Sequence, residues 1–198
     1  MTKTERKDGR NLRAERSRAA VANAALDLIR AGNPRPTAAE IAEEAGVSLR
    51  LVFHHYKDVD ALRGRALELQ FARIEPMLET AASIDLPLEK RINTLTKERI
   101  SVYAEIVDVL HVAHSMEFTV EDIRVKLQEM REVLRKQVAL VFAPELSKFK
   151  GVERRERTTA SQIAMSFTTW EALTLHDELP EPRVLKSIRW MVRHAIEG

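Results

Sequence analysis

Residues 37–56 read Thr-Ala-Ala-Glu-Ile-Ala-Glu-Glu-Ala-Gly-Val-Ser-Leu-Arg-Leu-Val-Phe-His-His-Tyr, a segment that predicts two short helices around a tight turn. Thr37 and Glu40 have the spacing of a capping box, in which two side chains satisfy reciprocal backbone donors at a helix start. Gly46 suits the sharp turn that follows the first helix, because it lacks a side chain. Ser48 is expected to cap the second helix.

The two predicted helices run from Ala38 to about Glu44 and from Leu49 to about Tyr56. A longer apolar-periodic helix is expected before them at 16–31, and Asp58 is expected to cap a fourth. A helix-turn-helix needs a second helix held at a fixed angle, with its first turn free to enter a major groove. Spacing alone leaves open a helical protein that makes no contact with nucleic acid.

The rest of the chain continues the helical pattern. Pro76 predicts a kink or break in the fourth helix, and four further apolar-periodic segments follow, near 88–114, 119–142, 154–177 and 183–196. We therefore predict an all-α fold, with an N-terminal three-helix helix-turn-helix domain and a larger C-terminal helical domain. The predicted divisions are a basic flexible arm (1–15), the helix-turn-helix domain (16–67) and the C-terminal helical domain (68–198).

Composition narrows the class of protein. The chain has 198 residues, of which 44% are apolar and 31% charged, as in soluble globular proteins. It lacks cysteine, which excludes disulfides, thiolate metal sites and cysteine nucleophiles. The polar start of the chain predicts no secretory signal, and no stretch is apolar enough to span a membrane, so we expect a cytoplasmic protein without a membrane partner.

The charge is unevenly distributed. Residues 1–65 carry 13 Lys and Arg against nine Asp and Glu, whereas the remainder carries 19 against 21. A basic head on a mildly acidic body is expected when one end meets phosphate, although an ordinary solvated surface gives the same balance. The basic residues before position 14 are expected either to add affinity for DNA or to form a solubilising tail: Lys3, Arg6, Lys7, Arg10 and Arg13.

Residues 16–67 resemble the DNA-binding head of the TetR (tetracycline-repressor-like) family of transcription regulators. The resemblance lies in the apolar first helix, in the Thr-x-x-x-Ile-Ala-x-x-Ala-Gly-Val-Ser core, and in Phe53-His54-His55-Tyr56 followed by Asp60 and Leu62. The family more often has Tyr-x-His-Phe here, so the two aromatic types are exchanged. It also commonly has a phosphate-binding lysine where Val59 stands, and Lys57 is the candidate substitute.

The resemblance implies which residues contact double-stranded DNA. Arg50 is the first candidate for base readout, since a guanidinium binds guanine in bidentate fashion. His54 lies one turn further along the same face and is a candidate for a base or phosphate contact. Leu49 and Leu51 are expected to meet thymine methyl groups or to pack internally. The remaining predicted DNA contacts are phosphate contacts, at Thr37, Ser48, Phe53 and Lys57.

The resemblance also implies that residues 16–67 bind DNA and that residues 68–198 form a regulatory domain for ligand binding and dimerisation. It implies a homodimer that binds a palindromic operator, one head per half-site, and a repressor that an unknown small apolar ligand releases from DNA. The candidate dimer interface comprises Ile163, Phe167, Trp170, Ile188, Met191, Val192 and Ala195; these stripes could equally face the protein's own core. The candidate ligand-binding residues, which could equally be core fillers and surface histidines, are Tyr103, His111, His114, Met116, Met130 and Met165.

Other functions find less support in the sequence. His111, His114 and Glu117 could chelate a metal, but no His-Glu-x-x-His pattern accompanies them, and we expect neither a metal nor a cofactor. The sequence shows no glycine-rich phosphate loop and no nucleophile elbow, so we expect no enzyme. A helical adaptor whose head binds protein remains the alternative. Salt separates the two, because only phosphate contacts make affinity fall steeply with salt.

Overall fold

A computed structural model of the chain describes the backbone of residues 3–197 and the side chains of residues 14–197. Every regular element in this part of the chain is helical, which confirms the predicted all-α fold. The α-helices are α1 (Lys3–Arg30), α2 (Ala38–Glu44), α3 (Leu49–His55), α4 (Val59–Ile74), α5 (Leu88–Met116), α6 (Glu121–Val141), α7 (Ala143–Leu146), α8 (Gly151–Ala164), α9 (Phe167–Glu171) and α10 (Glu181–Glu197).

The first helix begins earlier than the sequence predicted, at Lys3 instead of Arg16. Apolar periodicity detects only a helix that buries a face, and the charged residues before Arg16 show none. They are nevertheless mostly good helix formers, which extends the backbone helix toward the N-terminus. The side chains of the predicted basic arm before Ala14 lie outside the described residues, so its role stays a prediction.

The chain forms two compact units. The first comprises Met1–Arg73 and Ile106–Val125, and the second comprises Ile74–Glu105 and Lys126–Gly198. The predicted boundary at residue 67 falls inside α4, six residues before Arg73, the last residue of the first unit's N-terminal segment. Helix α5 carries a non-helical residue, Ile106, at the point where it passes from the second unit to the first.

The core of the first unit is built by α1 to α4. Helix α1 packs against both α2 and α3, and α2 packs against α3. The buried residues are apolar and mostly small or branched, which lets short helices cross closely: Val21, Ala22, Ala25, Leu26, Ile29, Ile41, Ala42, Val52, Leu62, Ala66 and Leu67. The helices of the predicted helix-turn-helix therefore share one core.

Two helix breaks in the second unit, near Pro76 and Ser166, bear on the helices predicted from the sequence. Helix α4 ends at Ile74, and a 3-10 turn with Pro76 follows at Glu75–Leu78, as the proline predicted. The segment predicted as one helix over 154–177 instead divides at Ser166, whose hydroxyl accepts a hydrogen bond from the Thr169 N–H at 3.2 Å and caps α9. Apolar periodicity continues across this cap, which explains why the sequence pattern concealed it.

Four of the seven predicted dimer residues belong to the core of the second unit. Phe167, Trp170, Ile188 and Val192 are each at most 7% exposed, because α8 and α9 pack against α10. These four have little surface to offer a partner, and their place in the dimer interface stays a prediction. Ile163 is exposed, and Met191 and Ala195 are half-buried, so for these three the prediction stays open.

Candidate nucleic-acid interface

The turn between α2 and α3 has the geometry that the glycine predicted. Gly46 has a φ of 65°, in the left-handed region that favours glycine. Its N–H donates to the Glu43 carbonyl at 3.0 Å, and the Val47 N–H donates to the Ala42 carbonyl at 2.9 Å. This is the Schellman pattern, which satisfies the last carbonyls of a helix while it reverses the chain. The direction in which α3 leaves α2 is therefore set by backbone hydrogen bonds.

Side chains fix the starts of both helices. Thr37 Oγ1 accepts from the Glu40 N–H at 3.3 Å, and the Glu40 carboxylate accepts from the Thr37 N–H at 2.7 Å, which completes the predicted capping box. Hydrogen bonds from the Thr37 backbone N–H and then from its hydroxyl lower the pKa of Glu40. Ser48 Oγ accepts from the Leu51 N–H at 3.3 Å, so Ser48 caps α3 as predicted.

Helix α3 has one exposed face and one anchored face. Leu49 is 46% exposed and Phe53 50%, and Arg50 and His54 are also exposed. Because 49, 50, 53 and 54 are spaced by three and four residues, these side chains form one stripe along the helix. Arg50 has neither a hydrogen bond nor an ion pair with any side chain between residues 14 and 197. The stripe therefore presents an arginine, an imidazole and two apolar groups outward.

The opposite face holds α3 against α1. Val52 is 1% exposed. The Tyr56 hydroxyl donates to the Arg18 carbonyl at 3.0 Å, and the Arg18 guanidinium lies 5.3 Å from the centre of the Tyr56 ring. His55 Nε2 and Ser17 Oγ are 3.0 Å apart and hydrogen-bonded. Burial, followed by the nearby His54 and Arg18, lowers the pKa of His55 and favours its neutral form.

The four residues predicted to contact phosphates differ in exposure and in their hydrogen bonds within the chain. Phe53 is exposed but has no hydroxyl, and the hydroxyl of the exchanged Tyr56 is already bonded to Arg18. The Thr37 hydroxyl donates to Glu40 at 2.7 Å, which leaves Ser48 as the stronger hydroxyl candidate. Lys57 is 83% exposed, and its Nζ lies 3.7 Å from Asp58 Oδ2, so its contact with a phosphate stays a prediction.

Leu51 differs from the other predicted contacts of α3. Its side chain is half-buried, whereas Leu49 is open to solvent. Of the two leucines, Leu49 is therefore better placed to meet a thymine methyl group, and Leu51 is better placed to pack within the unit. Sequence reasoning missed the contacts between α1 and α3, although an aromatic residue directly after a short helix is a usable signal for such an anchor.

Solved structures with the same fold are transcription regulators. A transcriptional regulator from Rhodococcus sp. Rha1 superposes with a TM-score of 0.70 at 14% identity, over 91% of this chain and 96% of the other. A TetR transcription regulator from Haloarcula marismortui ATCC 43049 gives 0.65 at 17% identity, over 92% and 97%. The chain has a TetR-like fold. No family model and no curated protein matches its sequence.

Within the TetR-like fold, the predicted ligand residues divide between the two units. His111, His114 and Met116 belong to the first unit, and Tyr103, Met130 and Met165 belong to the second. Tyr103 is buried and donates a hydrogen bond to the Met165 carbonyl at 2.8 Å. It also lines a small cavity of the second unit that is partly open to solvent. A shared ligand site for all six residues stays a prediction.

Among the side chains of residues 14–197, no group of three or more His, Asp or Glu is arranged to hold a metal ion. None of the helices that the structure describes has the length and apolar character needed to cross a bilayer.

Proposed function

We propose that the chain is a DNA-binding transcription regulator whose helix α3 reads bases in a major groove. The observation that carries the proposal is the exposed stripe of α3, where Arg50 stands open to solvent on a helix anchored through its other face. A helix-turn-helix uses the N-terminal residues of its second helix for base contacts, and Arg50 is the second residue of α3. A regulator of this kind acts on cytoplasmic DNA and catalyses no reaction.

The proposal extends to a homodimeric repressor that responds to a ligand. Two heads related by a twofold axis match a palindromic operator, and the solved structures that share the fold are described as regulators. A small molecule that binds the regulatory domain better in one state would shift the population away from the DNA-binding state.

The direct test measures binding to duplex DNA from the region flanking the protein's own gene, by fluorescence anisotropy. Arg50→Ala should weaken binding by about 1–3 kcal/mol and relax the preference at one base-pair position, because a bidentate contact is lost. Lys57→Ala should weaken binding to all sequences equally and reduce the salt dependence by about one phosphate contact.

Lys186→Ala is the matched control, since Lys186 is an exposed cation on α10 of the second unit. Its affinity should equal that of the wild type. Unchanged base preference in Arg50→Ala would refute the readout assignment. Binding that is insensitive to salt would refute the phosphate contacts and favour the helical adaptor.

A further inference from the structure

Helix α5 carries two arginines on its buried side. Arg91 and Arg99 are each 4% exposed, and they lie eight residues apart, close to two helical turns. Both belong to the second unit. A buried charge costs free energy unless it is paired and hydrogen-bonded, so the partners of each arginine indicate its role.

Arg91 has a complete set of partners within the chain. Its guanidinium donates to both carboxylate oxygens of Glu145, at 2.8 and 2.7 Å, and to the carbonyls of Val141 and Leu86, at 2.6 and 2.9 Å. Burial alone would raise the pKa of Glu145, but the hydrogen bond and charge of Arg91 lower it. Arg91 is therefore a structural residue, neutralised by an acid of its own unit.

Arg99 has only neutral acceptors. It donates to the side-chain oxygens of Gln162 and Gln137, at 2.9 and 3.2 Å, and to the Leu134 carbonyl at 2.6 Å. Its Nε–H has no acceptor. Burial lowers the pKa of the guanidinium, the charge and hydrogen bond of Tyr103 oppose that shift, and no carboxylate of the described residues contributes to it. The second unit thus holds a cation without a counter-ion.

Arg99 lines a small cavity of the second unit that is partly open to solvent. The cavity measures about 10 Å³ in this structure, room for about one water molecule. Its other walls are mainly apolar, formed by Met77, Leu78, Leu95, Val102, Tyr103 and Leu134. Two acids also line it, but Glu79 is exposed and Glu98 accepts from Thr80 Oγ1 and the Ala81 N–H.

Gln137 connects the arginine to one wall of this cavity. Its side-chain oxygen accepts from Arg99, and its Nε2 donates to the Leu78 carbonyl at 2.8 Å. Leu78 ends the 3-10 turn Glu75–Leu78, in which Met77 is 42% exposed. An anion that replaces Gln137 on Arg99 would therefore also disturb the contact that holds this turn, which gives the cavity a way to enlarge.

We infer that Arg99 anchors a small-molecule effector that carries a carboxylate on an apolar body. The planar guanidinium binds a carboxylate through two parallel hydrogen bonds, and its free Nε–H supplies one of them. Displacement of a glutamine amide from the terminal nitrogens supplies the other, while the apolar walls contact the body of the ligand. The inference rests on the proposed ligand response, but occupancy of the site is measured without DNA.

The test uses sodium octanoate, dodecanoate and phenylacetate as probes, each beside its uncharged primary amide. Trp170 reports binding, because its ring centre lies 6.1 Å from that of Tyr103, which lines the cavity. The background variant Trp190→Phe removes the other tryptophan, which is exposed. At least one acid should change Trp170 fluorescence with a Kd at least tenfold below that of its amide.

Arg99→Met should remove the preference for the acid, Arg99→Lys should retain part of it, and the exposed control Arg135→Met should leave it unchanged. Three outcomes would each overturn the inference. They are equal binding of acids and amides, no fluorescence response to any acid up to about 10 mM, and acid binding by Arg99→Met as tight as that of the protein that retains Arg99. If Arg99→Met does not fold, the acid–amide comparison in the Trp190→Phe protein decides alone. An acid that binds without releasing DNA would leave the site in place and refute the ligand response.

Discussion

At the scale of single residues, the second unit contains a buried ion pair, formed by Arg91 and Glu145. Glu145→Gln leaves Arg91 buried without a counter-ion and should lower the free energy of unfolding by about 3 kcal/mol. This value is the lower end of the range for broken buried ion pairs, because the glutamine amide oxygen can still accept one hydrogen bond from Arg91. Urea denaturation measures this. The double variant Arg91→Met, Glu145→Leu should recover most of the loss, because well-packed apolar residues often replace a buried pair.

Glu153→Gln is the matched control for this prediction. Glu153 also pairs with an arginine, Arg157, but its side chain is 55% exposed, and exposed ion pairs contribute little. The control should therefore unfold close to the wild-type midpoint. A control that loses as much stability as Glu145→Gln would contradict the role assigned to burial.

Residue roles were unevenly predictable from the sequence. Capping by Thr37, Ser48 and Asp58 follows from local spacing, and all three caps are present. The acceptors of Arg91 and Arg99 that lie on other helices are 35 to 63 residues distant, beyond the reach of any local pattern. A signal did exist, because Arg99 interrupts the buried apolar series of α5 formed by Ile92, Leu95, Val102 and Ile106.

At the scale of elements, the turn between α2 and α3 depends on a backbone conformation. Gly46→Ala should lower the free energy of unfolding by about 1–2 kcal/mol, because φ is 65° and a side chain is disfavoured there. No atom lies within 4 Å of the Cβ that the substitution adds, so the loss measures strain without a clash. Urea denaturation of the full chain provides the measurement.

Gly64→Ala is the matched control and should have the opposite sign. Gly64 lies inside α4 with no positive φ, and its added Cβ also meets no atom within 4 Å. Alanine there should raise the free energy of unfolding by about 0.5–1 kcal/mol, since glycine is a poor residue for a helix interior. Equal effects of the two substitutions would contradict the conformational explanation of Gly46.

Element boundaries were predictable where a residue type enforces them. Glycine and capping residues mark the ends of α2 and α3 within one residue of the observed bounds. The start of α1 and the break before α9 were missed. Charged helix formers carry no apolar period, and Ser166 stands inside an apolar series that continues on both sides.

At the scale of the whole molecule, the proposed dimer depends on surface that the second unit leaves exposed. Ile163 is 58% exposed on α8, and Val152 on the same helix is also 58% exposed. Ile163→Asp should convert a dimer into a monomer, because a buried charge at an interface lacks a partner. Sedimentation equilibrium measures the mass. Leu140→Asp, at a 68% exposed leucine of α6, is the control and should remain dimeric.

A monomeric wild-type protein would contradict the dimer, and a dimeric Ile163→Asp would place the interface elsewhere. The sequence pattern indicated an apolar stripe on the last helices but not which side faces a partner. That distinction depends on how α8 and α9 pack against α10, which buries Phe167, Trp170, Ile188 and Val192 within one chain.

The central claim is that α3 reads the sequence of duplex DNA. Selection of bound sequences from a pool of random duplexes, with wild-type protein and with Arg50→Ala in parallel, tests it most directly. The wild type should enrich a twofold-symmetric sequence whose half-sites are separated by whole helical turns of about 10 base pairs. The sequences selected by Arg50→Ala should lose the base preference at one position in each half-site. No enrichment by the wild type, or an identical sequence selected by Arg50→Ala, would contradict the claim.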